Sequence, residues 1–388
     1  MAFFSDILRF TLLLLLTLLL SSSSSSQFAH GCYTSIFAFG DSLTDTGNYL
    51  ALCLKGLQSD DRYPYIGLPP YGETFFHHPT GRCSDGRLVL DFIAEHYGVP
   101  HVQPYLGGQK DNFEGGVNFA VAGVTALDAE FYQERGIELH NNISMRTQLQ
   151  WFRDLLPSLC KNSSCTEMFK KSLFVFGPFG GDDYGNAIFQ KSVEDAQSFQ
   201  PLIIDAVASA VEELIELGVV NMMVPGMMAD GCLAATLSFF YGSNDGDYNP
   251  KTGCLDWLNK QSENHNILLQ KALSRIRDRH PNVFLVYADY YNAGLQLYNS
   301  PENFGFESKP LEACCGGGGP YNYNSSRRCG YPPTHACVDP SDHINWDGAH
   351  FTEAAYHWIS KGLLDGLFTT PHINSLCLQA NQNGGNTY

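Results

Sequence analysis

Residues 35–48 read Ser35-Ile36-Phe37-Ala38-Phe39-Gly40-Asp41-Ser42-Leu43-Thr44-Asp45-Thr46-Gly47-Asn48. A strand-like run, Ser35–Phe39, meets Gly40 and gives way to polar residues where a strand should end. A serine hydroxyl at that point is presented from a rigid element, and Gly40 lets the backbone turn sharply and approach a substrate closely. The same residues also fit an ordinary turn in which Ser42 caps a helix.

Four more runs share the pattern of the first: Val117–Val121, Leu173–Phe176, Val219–Val224 and Val283–Tyr287. Each is short, apolar and bounded by Gly, Pro, Asp or Asn, as strands buried on both faces are. Helical spacing fills the gaps. Leu202–Leu217 stops at Gly218, and Leu258–Ile276 stops before His280-Pro281. Asp91–Tyr97 and Glu353–Leu367 read as further helices. This alternation predicts one α/β domain over residues 27–388, a three-layer αβα arrangement around a central five-stranded parallel sheet. Reactive loops then lie at the carboxyl ends of the strands.

The amino-terminal segment reads differently. Arg9 precedes leucines from Leu12 to Leu20, broken only by Thr17, and Ser21 to Ser26 follow. An apolar stretch this short, followed by small polar residues, predicts a signal peptide over 1–26. No later stretch approaches the roughly 20 apolar residues of a spanning helix, so stable membrane insertion is not expected. All 12 cysteines follow the leucine run, with no paired C-x-x-C and no HExxH zinc pattern. Disulfides in an oxidising compartment are the better reading, and no metal or cofactor is called for. Local spacing pairs Cys160 with Cys165, and Cys314, Cys315, Cys329 and Cys337 are expected to pair among themselves. Asn142, Asn162 and Asn324 each open an N-x-S/T acceptor for N-linked glycans. The formal net charge of −17 argues against a nucleic-acid partner, which needs Lys and Arg to neutralise phosphates. A monomer of the secretory pathway is expected, extracellular (apoplastic) or vacuolar.

A serine nucleophile needs a base, and the base an orienting group. Asn345-Trp346-Asp347-Gly348-Ala349-His350-Phe351-Thr352 offers both, because one tight loop can bring the Asp347 carboxylate to the His350 ring. A surface histidine beside a helix cap is the competing reading. No G-x-S-x-G nucleophile elbow occurs, which argues against the common α/β-hydrolase arrangement.

These blocks together resemble the plant GDSL esterase/lipase family of the SGNH hydrolase superfamily, over essentially the whole mature chain. Gly40-Asp41-Ser42-Leu43 stands inside the longer form FGDSLTDTGN, and Gly116-Val117-Asn118-Phe119-Ala120-Val121-Ala122-Gly123 resembles the second block. Gly181-Asp182-Asp183 occupies the third, and Asp347-Gly348-Ala349-His350 is the D-x-x-H block. The stretches Pro79–Arg87 and CCGGGGPYN, Cys314–Asn322, are similar to the branch containing acetylajmalan esterase and sinapine esterase, which act on esters of specialised metabolites. The resemblance implies an SGNH-type fold and a Ser42–Asp347–His350 triad. It also implies an oxyanion hole from the Ser42 and Gly123 backbone N–H groups and the third-block side chain. Gly123 also fits a glycine chosen only for a turn after a strand.

The third block departs from the family's G-x-N-D, for Asp182 stands where an asparagine is expected. An asparagine amide donates, whereas an ionised aspartate only accepts. Three readings stay open: a protonated, donating Asp182; a site turned toward acyl transfer; or a catalytically weak ligand binder. Hydrolysis of a small-metabolite ester, such as an alkaloid or hydroxycinnamate ester, is the expectation taken forward. A second departure, Ala229-Asp230 in Val224–Cys232 where relatives read close to V-P-G-x-x-P-x-G-C, is expected in a loop beside the pocket.

Overall fold

The computed structural model describes residues 32–56, 64–108, 113, 115–160, 165–306 and 309–377. The expected signal peptide and the Asn162 acceptor lie outside the described residues. Six strands form one sheet: β1 (Ser35–Phe39), β2 (Gly116–Asn118), β3 (Ser172–Phe176), β4 (Asn221–Pro225), β5 (Phe284–Ala288) and β6 (Thr369–Thr370). Their order is β2-β1-β3-β4-β5-β6. The first five in that order are parallel, as expected, and β6 corrects the strand count by adding an antiparallel edge beside β5. Two residues are too few to leave an alternating pattern in a sequence, so β6 had no signal to read. The expected run Val117–Val121 also pairs regularly over only part of its length. Asn118 turns the chain there, its amide donating to Thr44 O at 2.6 Å while its Oδ1 accepts from Ala120 N at 2.7 Å.

Alternate residues of each strand feed two separate cores. Phe37, Phe39, Phe174, Phe176, Met222 and Val224 face one side, where Phe152, Val207, Val211, Leu269 and Leu273 cover them. Ile36, Ala38, Leu173, Val175, Met223 and Val286 face the other, beneath Ile93, Tyr97, Leu297, Tyr356 and Ile359. Helices Met145–Leu159, Val193–Glu216 and Asp256–Arg279 supply the first cover, and Val89–Tyr97, Tyr290–Asn299 and Glu353–Leu364 the second. A strand covered on both faces must be apolar throughout, which is why these runs stood out in the sequence. The helix expected from Leu202 starts at Val193 and runs through Pro201. Ser192 caps it, accepting from Asp195 N at 3.0 Å.

Cysteines pair as Cys32–Cys377, Cys160–Cys165, Cys232–Cys254, Cys314–Cys337 and Cys315–Cys329. The local pair and the closed set of four match the expectation. Cys314–Cys337 and Cys315–Cys329 staple the segment lying against the Asn345–Phe351 loop, where Cys314 N donates to Asn345 O at 2.9 Å and Cys315 N to Trp346 O at 2.7 Å. Among the described residues, no helix is long and apolar enough to cross a membrane.

Candidate active site

Ser42 sits in the turn that follows β1. The turn is closed by Thr44 N and Asp45 N donating to Asp41 O at 3.1 and 3.0 Å. Gly40 makes the approach possible: its φ is +144°, and a Cβ there would lie 2.5 Å from Gly177 O beyond the end of β3. Gln148 bridges Gly40 from the Met145–Leu159 helix, accepting from Gly40 N at 3.0 Å and donating to Gly40 O at 2.8 Å. Asp45 fixes the far side of the turn. Its carboxylate accepts from the backbone N–H of Gly47, Asn48, Tyr49 and Ala122, at 2.7, 2.6, 3.0 and 2.9 Å. One side chain therefore ties the serine turn to the loop that carries Gly123. Neither Gln148 nor Asp45 was singled out in the sequence.

The Asn345–Phe351 loop delivers the other two groups. His350 Nε2 lies 2.8 Å from Ser42 Oγ, and His350 Nδ1 lies 2.8 and 2.9 Å from the two carboxylate oxygens of Asp347. A hydroxyl held against an imidazole whose other nitrogen faces a buried carboxylate can surrender its proton while it attacks a carbonyl carbon. Burial disfavours the charged ring, yet the Asp347 carboxylate more than offsets it, and the proton affinity of His350 stands well above the ordinary histidine value. Burial likewise works against the Asp347 carboxylate, but the His350 charge and several hydrogen bonds hold its carboxyl below the usual range. One of those bonds comes from Tyr71, whose OH donates to Asp347 Oδ2 at 2.6 Å; nothing in the sequence marked this residue.

A cavity of about 380 Å³ opens over Ser42, and Gly123, Asp182, Asp230 and Tyr184 line it together with His350. The backbone N–H groups of Ser42 and Gly123 donate to no other group among the described residues. Gly123 needs its positive φ of 80°, and a Cβ there would come within 2.9 Å of Asn141 Nδ2. Asn141 in turn holds the loop by donating to Ala122 O at 2.7 Å.

Asp182 lies in the first turn of the Gly181–Gln190 helix. Burial, and next the neighbouring Asp41 and Asp183, push its carboxyl well above the ordinary range, against the opposing His350. Asp41 is pushed up to about 7, chiefly by burial. Asp230 is also pushed up to about 7, by burial and then by Asp182. The second departure from the family pattern thus lies where it was expected, with Asp230 on the cavity wall. Asp183 has a different task. It accepts from Ala126 N at 3.0 Å, from Leu127 N at 3.3 Å and from Tyr132 OH, and so anchors the loop after Gly123.

Among the described residues, Cys314, Cys337 and His343 are the one group close enough to hold a metal ion, and its two sulfurs are bonded to each other. Asn142 is exposed and Asn324 half-buried, the latter accepting from Ser326 N at 3.0 Å.

The sequence profile of the family described as GDSL-like Lipase/Acylhydrolase matches residues 36–363. A GDSL esterase/lipase of Arabidopsis thaliana is 46% identical over 350 residues, covering 90% of this chain and 88% of the relative. Sinapine esterase of Brassica napus is 47% identical over 353 residues, covering 90% and 89%. Among solved structures, a mutant of an acetyl-xylooligosaccharide esterase from Geobacillus Stearmophilus aligns with 87% of this chain and 95% of its own, at 11% identity and a TM-score of 0.39. A profile that spans most of the chain, and relatives of this identity along nearly their whole length, show that the chain belongs to the GDSL-like lipase/acylhydrolase family and is, as a member, a carboxylic ester hydrolase.

Proposed function

We propose that this protein is a secreted serine esterase acting on a carboxylic ester of a small specialised metabolite. Ser42 is the nucleophile, His350 the general base and acid, and Asp347 the group that orients the imidazole. The observation that carries this reading is the continuous line from Ser42 Oγ to His350 Nε2 at 2.8 Å and from His350 Nδ1 to Asp347 at 2.8 Å. Ser42 Oγ attacks the carbonyl carbon as its proton passes to His350 Nε2. The bond to the alcohol oxygen then breaks, and His350 gives the proton to the departing alcohol. Water repeats the sequence on the acyl-serine, releasing the acid and restoring Ser42.

The negative oxygen of each tetrahedral intermediate needs donors held ready for it. The Ser42 and Gly123 amides are unengaged by other described groups, which suits them to the task. Asp182 supplies a third donor in the form of a neutral carboxylic acid. Burial and like-charged neighbours favour that protonated form, so its O–H takes the place of an asparagine amide. The kinship with sinapine esterase supports a small plant ester as substrate. Five disulfides support folding in an oxidising compartment, and the exposed Asn142 would accept a glycan there.

Acid release from short-chain chromogenic esters and from a panel of plant metabolite esters tests this reading. Ser42→Ala is expected to abolish it, and full activity in that variant would refute the assignment. Acceptor alcohols added to the same reactions separate hydrolysis from acyl transfer, since new ester products would replace the hydrolytic reading with the transferase one.

A further inference from the structure

Asp347 Oδ1 is heavily engaged. It accepts from Ala349 N at 3.1 Å, from His350 N at 3.1 Å and from His350 Nδ1 at 2.8 Å. Among the described residues, Oδ2 has two hydrogen-bond partners: the same ring nitrogen at 2.9 Å and the Tyr71 hydroxyl at 2.6 Å. The Asp347 side chain is 6% exposed, so a lost donor is costly there. Among the described residues, the tyrosine alone gives Oδ2 a donor that Oδ1 does not share.

Tyr71 is held for this purpose by its surroundings. It is 1% exposed, and its ring meets Trp346 edge-on at 5.7 Å and Tyr65 at 5.8 Å. Its backbone is pinned on both sides, with Tyr71 N donating to Leu68 O at 3.2 Å and Gly72 N to Ser84 O at 3.0 Å. Gly72 has φ +74°, and a Cβ there would stand 2.2 Å from His78 O, so only glycine lets the chain turn away directly behind the tyrosine. Burial and the adjacent Asp347 keep the phenol protonated far above its ordinary range, so it donates at every working pH. Tyr71 also lines the cavity, which brings it to the substrate side of Asp347.

We propose that Tyr71 is a positioning residue that completes a line Tyr71–Asp347–His350–Ser42, sets the orientation of the Asp347 carboxylate and tunes the basicity of His350. This rests on the proposed role of Ser42 and His350. By donating to Oδ2, the phenol draws carboxylate charge away from the imidazole. Without it, that charge falls more fully on His350, which then holds its proton to higher pH. Because His350 must be neutral to accept the serine proton, the acid limb of activity moves upward. The other titratable groups around the pair are Cys83 beside His350, Tyr65, Tyr323 and Tyr356, with Asp41 and Asp182 near the ring. None of them hydrogen-bonds to Asp347 among the described residues.

The test is Tyr71→Phe in the full chain, which keeps the ring and removes only the donor. In the pH profile of kcat/KM on a short chromogenic ester, the acid limb is expected to move up by about half to one pH unit. At pH 6, kcat is expected to fall about five- to tenfold with KM changed less than about twofold. The downfield Nδ1–H proton resonance of His350 is expected to shift in the free enzyme. A fluorinated tyrosine placed at position 71, a stronger donor of nearly the same shape, is expected to move the limb the opposite way. It serves also if Tyr71→Phe folds poorly. An unchanged limb and an unchanged resonance in both proteins would overturn the proposal. Ser42→Ala, assayed alongside, separates that outcome from failure of the serine-esterase reading. Loss of activity there, with a normal profile in Tyr71→Phe, removes only the role of Tyr71.

Discussion

The carboxyl groups of Asp41 and Asp182 stand on the wall of the cavity that holds Ser42, and after burial Asp41 is what most strengthens the hold of Asp182 on a proton. Asp41 follows β1 and Asp182 follows β3, so two parallel strands bring together like charges that are far apart in the sequence. On the proposed reading, this relationship lets an aspartate serve in an asparagine's place. A carboxylic acid can donate to an oxyanion and a carboxylate cannot.

Asp182→Asn therefore keeps the donor and removes the dependence on pH. Activity at pH 5–6 is expected to stay within about threefold of the parent or to rise. The decline of the parent on the alkaline side, as Asp182 loses its proton, is expected to flatten. Replacement by alanine removes the donor and is expected to lower kcat about 10²–10³-fold. Rate profiles from pH 4 to 9 check both, and a large loss in Asp182→Asn at every pH would show that the carboxyl has a task an amide cannot perform.

The same groups shape stability. Asp41 and Asp230 titrate near 7 when folded, against about 4 in an unfolded chain. The folded state holds protons that the unfolded chain has released, so the stabilisation is complete below the unfolded value and is lost as pH rises through about 7. Buried His265 acts in the opposite sense. Burial pushes it down to about 3, so its contribution is lost only as pH falls below about 6.5. Above that point the aspartates dominate. The melting temperature is expected to fall by roughly 2 °C between pH 6.5 and 8.5, from a loss of about 1.6 kcal/mol shared by the two aspartates. Asp230→Asn is expected to shrink that fall, as calorimetry at matched ionic strength would show.

Asp45 carries a structural prediction. Its removal leaves the four backbone donors of Gly47, Asn48, Tyr49 and Ala122 without their shared acceptor in a fully buried setting. Asp45→Ala is expected to lose at least about 3 kcal/mol of stability in denaturant melts. Activity is expected to collapse with it, since the Ser42 turn and the Gly123 loop lose their tie.

Much of this was legible in the sequence, and the reasons are physical. A strand buried on both faces must be apolar, so β1 to β5 declared themselves. Ser42, Asp347 and His350 were visible because their chemistry restricts residue type. Tyr71 was not, for its bond to Asp347 spans 276 residues and a tyrosine has many ordinary places in a core. Gln148 reaches Gly40 across 108 residues in the same way. The start of the Val193–Glu216 helix was missed because Pro201 reads as a boundary, whereas the Ser192 cap and the packed face of the helix carry it through. The raised proton affinity of Asp182 depends on burial and on neighbouring carboxyls that only the folded chain assembles.

The nucleophile itself can be tested by intact-mass and peptide analysis after treatment with an organophosphonate. One adduct per chain, on Ser42, formed in step with loss of esterase activity and slowed strongly in His350→Ala, is the predicted result. Esterase activity that survives complete phosphonylation of Ser42, or inactivation that labels a different residue, would contradict it.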